Sequence, residues 1–169
     1  MLNKYVLALL TALWEAIVAN TVQLLLDTAV LILEAEHDSD LFPSDSDEVI
    51  TFTAGGVANT FGAWAEIVVD VTGETFSSRF AAQPGHISGL LIEDLSVKDK
   101  RFVLETAYGD AKVPITVHRF LAGNVKFLAA VQVVRIRAPG MPAGETIYYR
   151  MMCENAGATC EVSFRYHYH

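Results

Sequence analysis

Glycine and proline are missing from the first forty-two residues; Pro43 is the first of either. That absence excludes tight turns and breaks, and it favours one continuous helix. Charge is nearly missing too, since between Tyr5 and Leu33 only Glu15 and Asp27 are ionised. Basic residues are scarce in the same region, with Lys4 the one base among nine acids in residues 1–48. The net charge of −8 therefore belongs to this arm, and residues 49–169 balance at zero. With no basic excess anywhere, a nucleic-acid partner is not expected. Two cysteines are too few for a disulfide framework and lack the company of a zinc site. No G-x-S-x-G elbow, P-loop or H-E-x-x-H occurs, so no familiar catalytic constellation is available.

Apolar residues make up 52% of the chain, which argues for a packed core rather than disorder. The N-terminal segment is rich in Leu and Ala and reads as a helix over residues 1–36. Leu10, Ile17, Leu24 and Leu31 repeat at intervals of seven, with Val18, Leu25 and Ile32 in a row beside them. About 30 helical residues would span about 45 Å, and so wide an apolar face requires a cover. The flanking residues resemble a signal peptide, but Glu15 falls inside the apolar run, so the segment is read as retained. Glu15 and Asp27 also leave too short an apolar stretch for an easy membrane span. The heptad row fits best with association between copies of the chain, as a trimer or higher, or with insertion into a larger assembly.

Residues 37–48 read as an acidic spacer, with Asp38, Asp40, Asp45, Asp47 and Glu48 among serines and Pro43. Calcium would suit such carboxylates, but the glycine and glutamate of an EF-hand loop are missing, and no cofactor is expected. Residues 49–169 change to a β period. The expected strands are 49–53, 63–71, 75–81, 87–94, 101–108, 113–121, 130–137, 146–153 and 160–168. Turn residues separate most of them, including Gly55-Gly56, Pro84-Gly85, Gly109-Asp110 and Pro139-Gly140. The fold class is mainly β: an antiparallel β-sandwich of eight or nine strands, jelly-roll-like, carried behind a long N-terminal α-helix.

The last two strands sort into an apolar and a polar side if read as a hairpin. Met151 then faces Val162, Tyr149 faces Phe164 and Ile147 faces Tyr166, with Arg150, Tyr148 and Thr146 opposite Ser163, Arg165 and His167. That register sets Cys153 against Cys160, so a disulfide between them is allowed but not required. His167 and His169 share a face, but a metal needs a third ligand and none is evident locally. Glu93 and Asp94 are adjacent and should point to opposite faces, which makes no carboxylate dyad. Arg135 and Arg137 flank Ile136 as an exposed charged face. Trp64, Tyr108, Tyr148 and Tyr149 are the aromatics that could stack on a sugar.

The stretch Met141-Pro-Ala-Gly-Glu-Thr-Ile-Tyr-Tyr-Arg150, with the terminal strand after it, resembles the C-terminal strand pair of jelly-roll structural proteins on tailed-phage particles. That resemblance implies a virion decoration or tail-accessory role and carries over no functional residue. The layout of an apolar helix before a β-sandwich is also similar to archaeal pilins and archaellins, whose helices form a filament core. The chain is accordingly expected to be a non-enzymatic structural protein of a virion or extracellular assembly, partnered by its own copies and by other structural proteins. The alternatives are a pilin-like filament subunit and a helix-tethered, carbohydrate-binding sandwich.

Overall fold

The computed structural model describes residues 10–15, 17, 18, 21, 39–121, 132–137 and 140–169. The chain divides into two units, Met1–Asp38 and Ser39–His169. In the first unit residues 10–15, 17, 18 and 21 are helical, and the Thr21 hydroxyl donates to the Ile17 carbonyl at 2.8 Å. This is the i−4 back-bond that lets a threonine sit within a helix. The rest of the expected helix, including Leu24, Leu25, Leu31 and Ile32, lies outside the described residues.

The second unit is mainly β and builds two antiparallel sheets. Its described strands are β1 (Asp40–Phe42), β2 (Ile50–Thr53), β3 (Ala65–Glu66), β4 (Gly85–Leu95), β5 (Arg101–Tyr108), β6 (Val113–Leu121), β7 (Gln132–Arg135), β8 (Ile147–Cys153) and β9 (Thr159–Tyr168). One sheet runs β1-β9-β4-β7, with β2 following β1 along the same edge of β9; the other runs β3-β8-β5-β6. A single core lies between them, built from Phe52, Leu90, Ile92, Val162 and Phe164 on one side and Phe102, Leu104, Ile147 and Met151 on the other. Along β2 and β8 the core residues alternate with exposed or half-exposed ones, whereas Val103 between Phe102 and Leu104, and Ser163 between Val162 and Phe164, are buried as well.

Three expectations need correction, besides the expected strand 63–71, which shrinks to Ala65–Glu66. The terminal hairpin does not form: β8 pairs with β3 and β5, β9 pairs with β1, β2 and β4, and residues 154–158 carry the chain from one sheet to the other. Ile147, Met151, Val162, Phe164 and Tyr166 are buried as expected. They meet across the core rather than side by side, and a period-two pattern cannot tell these cases apart. Among the described strands, β5 and β6 are the one sequence-consecutive pair joined as a hairpin.

The second correction concerns Thr75–Ala81, which was expected to be a strand. Phe76–Phe80 is a 3-10 helix instead. The Ser78 hydroxyl donates to Thr75 O at 2.7 Å, offering the backbone a local partner in place of a ladder. The Ser77 hydroxyl donates to Glu66 at 2.8 Å and accepts from the Ile147 N–H at 2.9 Å, which ties this turn to β3 and β8. The third correction lies in the acidic spacer, where Asp40–Phe42 forms β1 and pairs Asp40 with Tyr166 and Phe42 with Phe164.

Phe76 collects the rings at this end of the core. It stacks on Phe42 at 4.7 Å and on Phe164 at 4.9 Å, and meets Phe80 and Tyr166 edge-on at 5.5 Å. Gly85 opens β4 where a side chain has no room, because a Cβ there would lie 2.4 Å from His167 O and 2.7 Å from the Phe80 ring. Phe76 is fully buried. Phe76→Ala is expected to cost about 3–5 kcal/mol in urea unfolding, through lost burial and the cavity it leaves. A loss below about 1 kcal/mol would show that the site collapses without harm.

Candidate functional site

The apolar row of the first unit is exposed at each of its described positions. Leu10, Leu13, Trp14, Ile17 and Val18 are 51%, 57%, 67%, 50% and 41% exposed. Their spacing of three, four, seven and eight places them along one side of a helix. Leu10, Ile17 and Val18 belong to the rows named from sequence; Leu13 and Trp14 complete the same face. Among the described residues no helix is long and apolar enough to cross a membrane.

The outer face of the β3-β8-β5-β6 sheet is organised around Arg150. Its guanidinium lies 4.6 Å from the Phe61 and Trp64 ring centroids and pairs with Glu105 across β5 and β8 at 2.5 Å. Phe61 and Trp64 arrive there because the loop before β3 follows the edge of β8, with the Gly55 and Gly62 N–H groups both donating to Met151 O at 3.1 Å. The other aromatics named as sugar platforms are likewise engaged by the protein. Tyr149 stacks on Phe52 at 3.8 Å, Tyr108 packs against the core, and the Lys112 ammonium sits 3.4 Å from the Tyr148 centroid. Burial pushes the Tyr149 hydroxyl above its ordinary pKa. These rings act mainly as packing.

His167 and His169 gain His86 from β4 as a neighbour. His86 Nδ1 lies 2.6 Å from His169 Nε2, and the His86 ring is 3.6 Å from that of His167, centre to centre. The sequence could not show this third imidazole, which is eighty residues away and arrives through the β4–β9 register. Among the described residues, however, no group of three His, Cys, Asp or Glu side chains is placed to hold a metal ion. Arg135 and Arg137 are both exposed.

Glu93 and Asp94 depart from strand alternation. The β4–β9 register shifts between Ile92 and Asp94, so this bulge sets Asp94 beside Glu161 while Glu93 accepts a short hydrogen bond from the Ser163 hydroxyl of the same strand. Burial raises the pKa of Glu161, and the charges of Asp94, Glu93 and Asp70 add to the effect. Cys153 and Cys160 are buried free thiols on different sheets, so the cross-strand geometry that would have bridged them is absent. Burial raises the Cys153 thiol, and it pushes Cys160 up to about 12 with help from the nearby carboxylates. Both are poor nucleophiles.

A cavity of about 400 Å³ opens where β1 and the segment after it meet the 3-10 helix and the end of β9. Asp40, Leu41, Ser44, Arg79, Tyr166 and Tyr168 line it. Arg79 pairs with Glu74 at 2.9 Å and lies over the Phe42 ring, while its Nε is shielded from solvent and meets no acceptor among the described residues. Burial and a side-chain hydrogen bond with Tyr168 raise the Tyr166 hydroxyl well above its ordinary value. Sequence reasoning missed this site because it placed Asp40, Leu41 and Ser44 in a solvated spacer and Arg79 in a strand.

Two measurements check these assignments. The folded form binds the Glu161 proton more tightly than the unfolded chain does, so the stability penalty of this carboxylate is present at neutral pH. It fades as pH falls through the raised folded-state range. Glu161→Gln is therefore expected to add about 0.5 kcal/mol at neutral pH, a like-charge cross-strand effect, and less in acid. Mass spectrometry after alkylation should find slow labelling of the native protein and two adducts in denaturant without reductant; an unlabelled pair would mean a bridge. No protein-family model, curated protein or solved structure matches this chain.

Proposed function

We propose that the protein is a non-enzymatic structural subunit that assembles with its own copies through the apolar N-terminal segment. The observation that carries this reading is the row Leu10, Leu13, Trp14, Ile17 and Val18, each at least two-fifths exposed on one side of a helix. Water does not tolerate so continuous an apolar face, and burial against identical faces covers it. In sequence the seven-residue repeat continues through Leu24 and Leu31, which favours a long helix and a bundle of three or more.

The second unit is the body such a helix would carry. The order β2-β9-β4-β7 facing β3-β8-β5-β6, with all named pairs antiparallel, supports the finer description as two Greek keys folded as a jelly roll. Among assemblies, a virion-surface or accessory component is the reading favoured by the Pro142-Ala-Gly144 turn that leads into β8.

Light scattering in the absence of detergent tests the proposal. The full chain is expected to give the mass of a trimer or larger, and a chain beginning at Ser39 should be a monomer that keeps β1 and its buried Phe42. Leu13→Glu with Ile17→Glu in the full chain should also dissociate it. A monomeric full chain defeats the proposal, and a chain kept in solution only by detergent points to a membrane anchor instead.

A further inference from the structure

We propose that the cavity between β1, the 3-10 helix and the end of β9 binds a single neutral saccharide unit. The inference concerns residues of the second unit alone and stands apart from the assembly reading. The cavity, at about 400 Å³, falls within the roughly 300–1,000 Å³ range of small-molecule sites.

Its lining has the mixture that hydroxyl groups need. Asp40 only accepts hydrogen bonds, Arg79 only donates them, and Ser44 does both. A sugar hydroxyl is donor and acceptor at once, so it can bridge such a set where a purely anionic or purely cationic group cannot. Tyr168 is 39% exposed and is held edge-on by Phe80 at 6.0 Å and by Tyr166 at 5.5 Å, which leaves a supported ring for the C–H face of a pyranose.

Charge decides between neutral and ionic ligands. Arg79 is already paired with Glu74, and Asp40 adds a second carboxylate, so the cavity carries no positive excess to hold an acid. The guanidinium in turn disfavours an ammonium beside Asp40. A neutral polyol pays neither penalty.

The test is saturation-transfer NMR on the full chain with free glucose, galactose, mannose and N-acetylglucosamine, and with galacturonic acid and glucosamine as charged comparators. At least one neutral sugar should receive saturation, and its binding should weaken by roughly tenfold in Asp40→Asn, which removes a charged acceptor at an exposed position. Tyr168→Ala should abolish it. Because Tyr168 also packs on Phe80, Asp40→Asn, checked by an unchanged melting temperature, is the deciding variant. Transfer to none of the neutral sugars, transfer to the charged comparators alone, or transfer undiminished in Asp40→Asn would each overturn the proposal.

Discussion

Contact between the Phe76 ring and its neighbours closes one end of the sandwich. Phe42 comes from an acidic stretch, Phe76 and Phe80 from a short 3-10 helix, and Phe164 and Tyr166 from the last strand. None of these segments is long enough to be stable alone; three residues of β1 cannot make a strand without the burial that Phe42 supplies. Ring packing is therefore what holds β1 on the edge of β9 and turns the chain at Gly85. It also props two residues that line the Asp40–Arg79 cavity, since Arg79 lies over Phe42 and Tyr168 leans on Phe80.

The same core explains why polar groups gather where they do. Each sheet turns its apolar side inward, so charged side chains collect on the two outer faces and at the open ends. On one outer face Arg150 is sheathed by Phe61 and Trp64 and neutralised by Glu105, a half-buried arrangement held by hydrogen bonding as well as charge. On the other, a β-bulge brings Glu93 and Asp94 close to Glu161, and the three carboxylates repel. The buried thiols and the packed aromatics contribute to cohesion; in the N-terminal unit the exposed apolar residues instead line up along one side of a helix.

Much of the fold was legible in the sequence. Strands β5 and β6 have the bounds expected from their alternation and from the Gly109-Asp110 turn between them. β8 and β9 turn the expected residues inward. The candidate sites were less legible. Leu10, Ile17 and Val18 were identified by helical spacing, which is a local property. The cavity residues were not, because Asp40 and Arg79 come to line one cavity only through the tertiary fold. The same limit hid His86 from His167 and His169, and turned Glu93 and Asp94 to one side where alternation had separated them.

By itself the sequence determined the mainly-β class, most strand positions, which side chains face inward, and the confinement of net charge to the N-terminal arm. These follow from local periodicity and composition, and any partner arrangement preserves them. Only the tertiary structure decided which strands are neighbours, whether β8 and β9 share a sheet, and which polar groups line a common cavity. Pairing is a contest between non-local alternatives with the same apolar pattern. It is settled by the three-dimensional packing of rings such as Phe42, Phe76 and Phe164, which no window of sequence contains together.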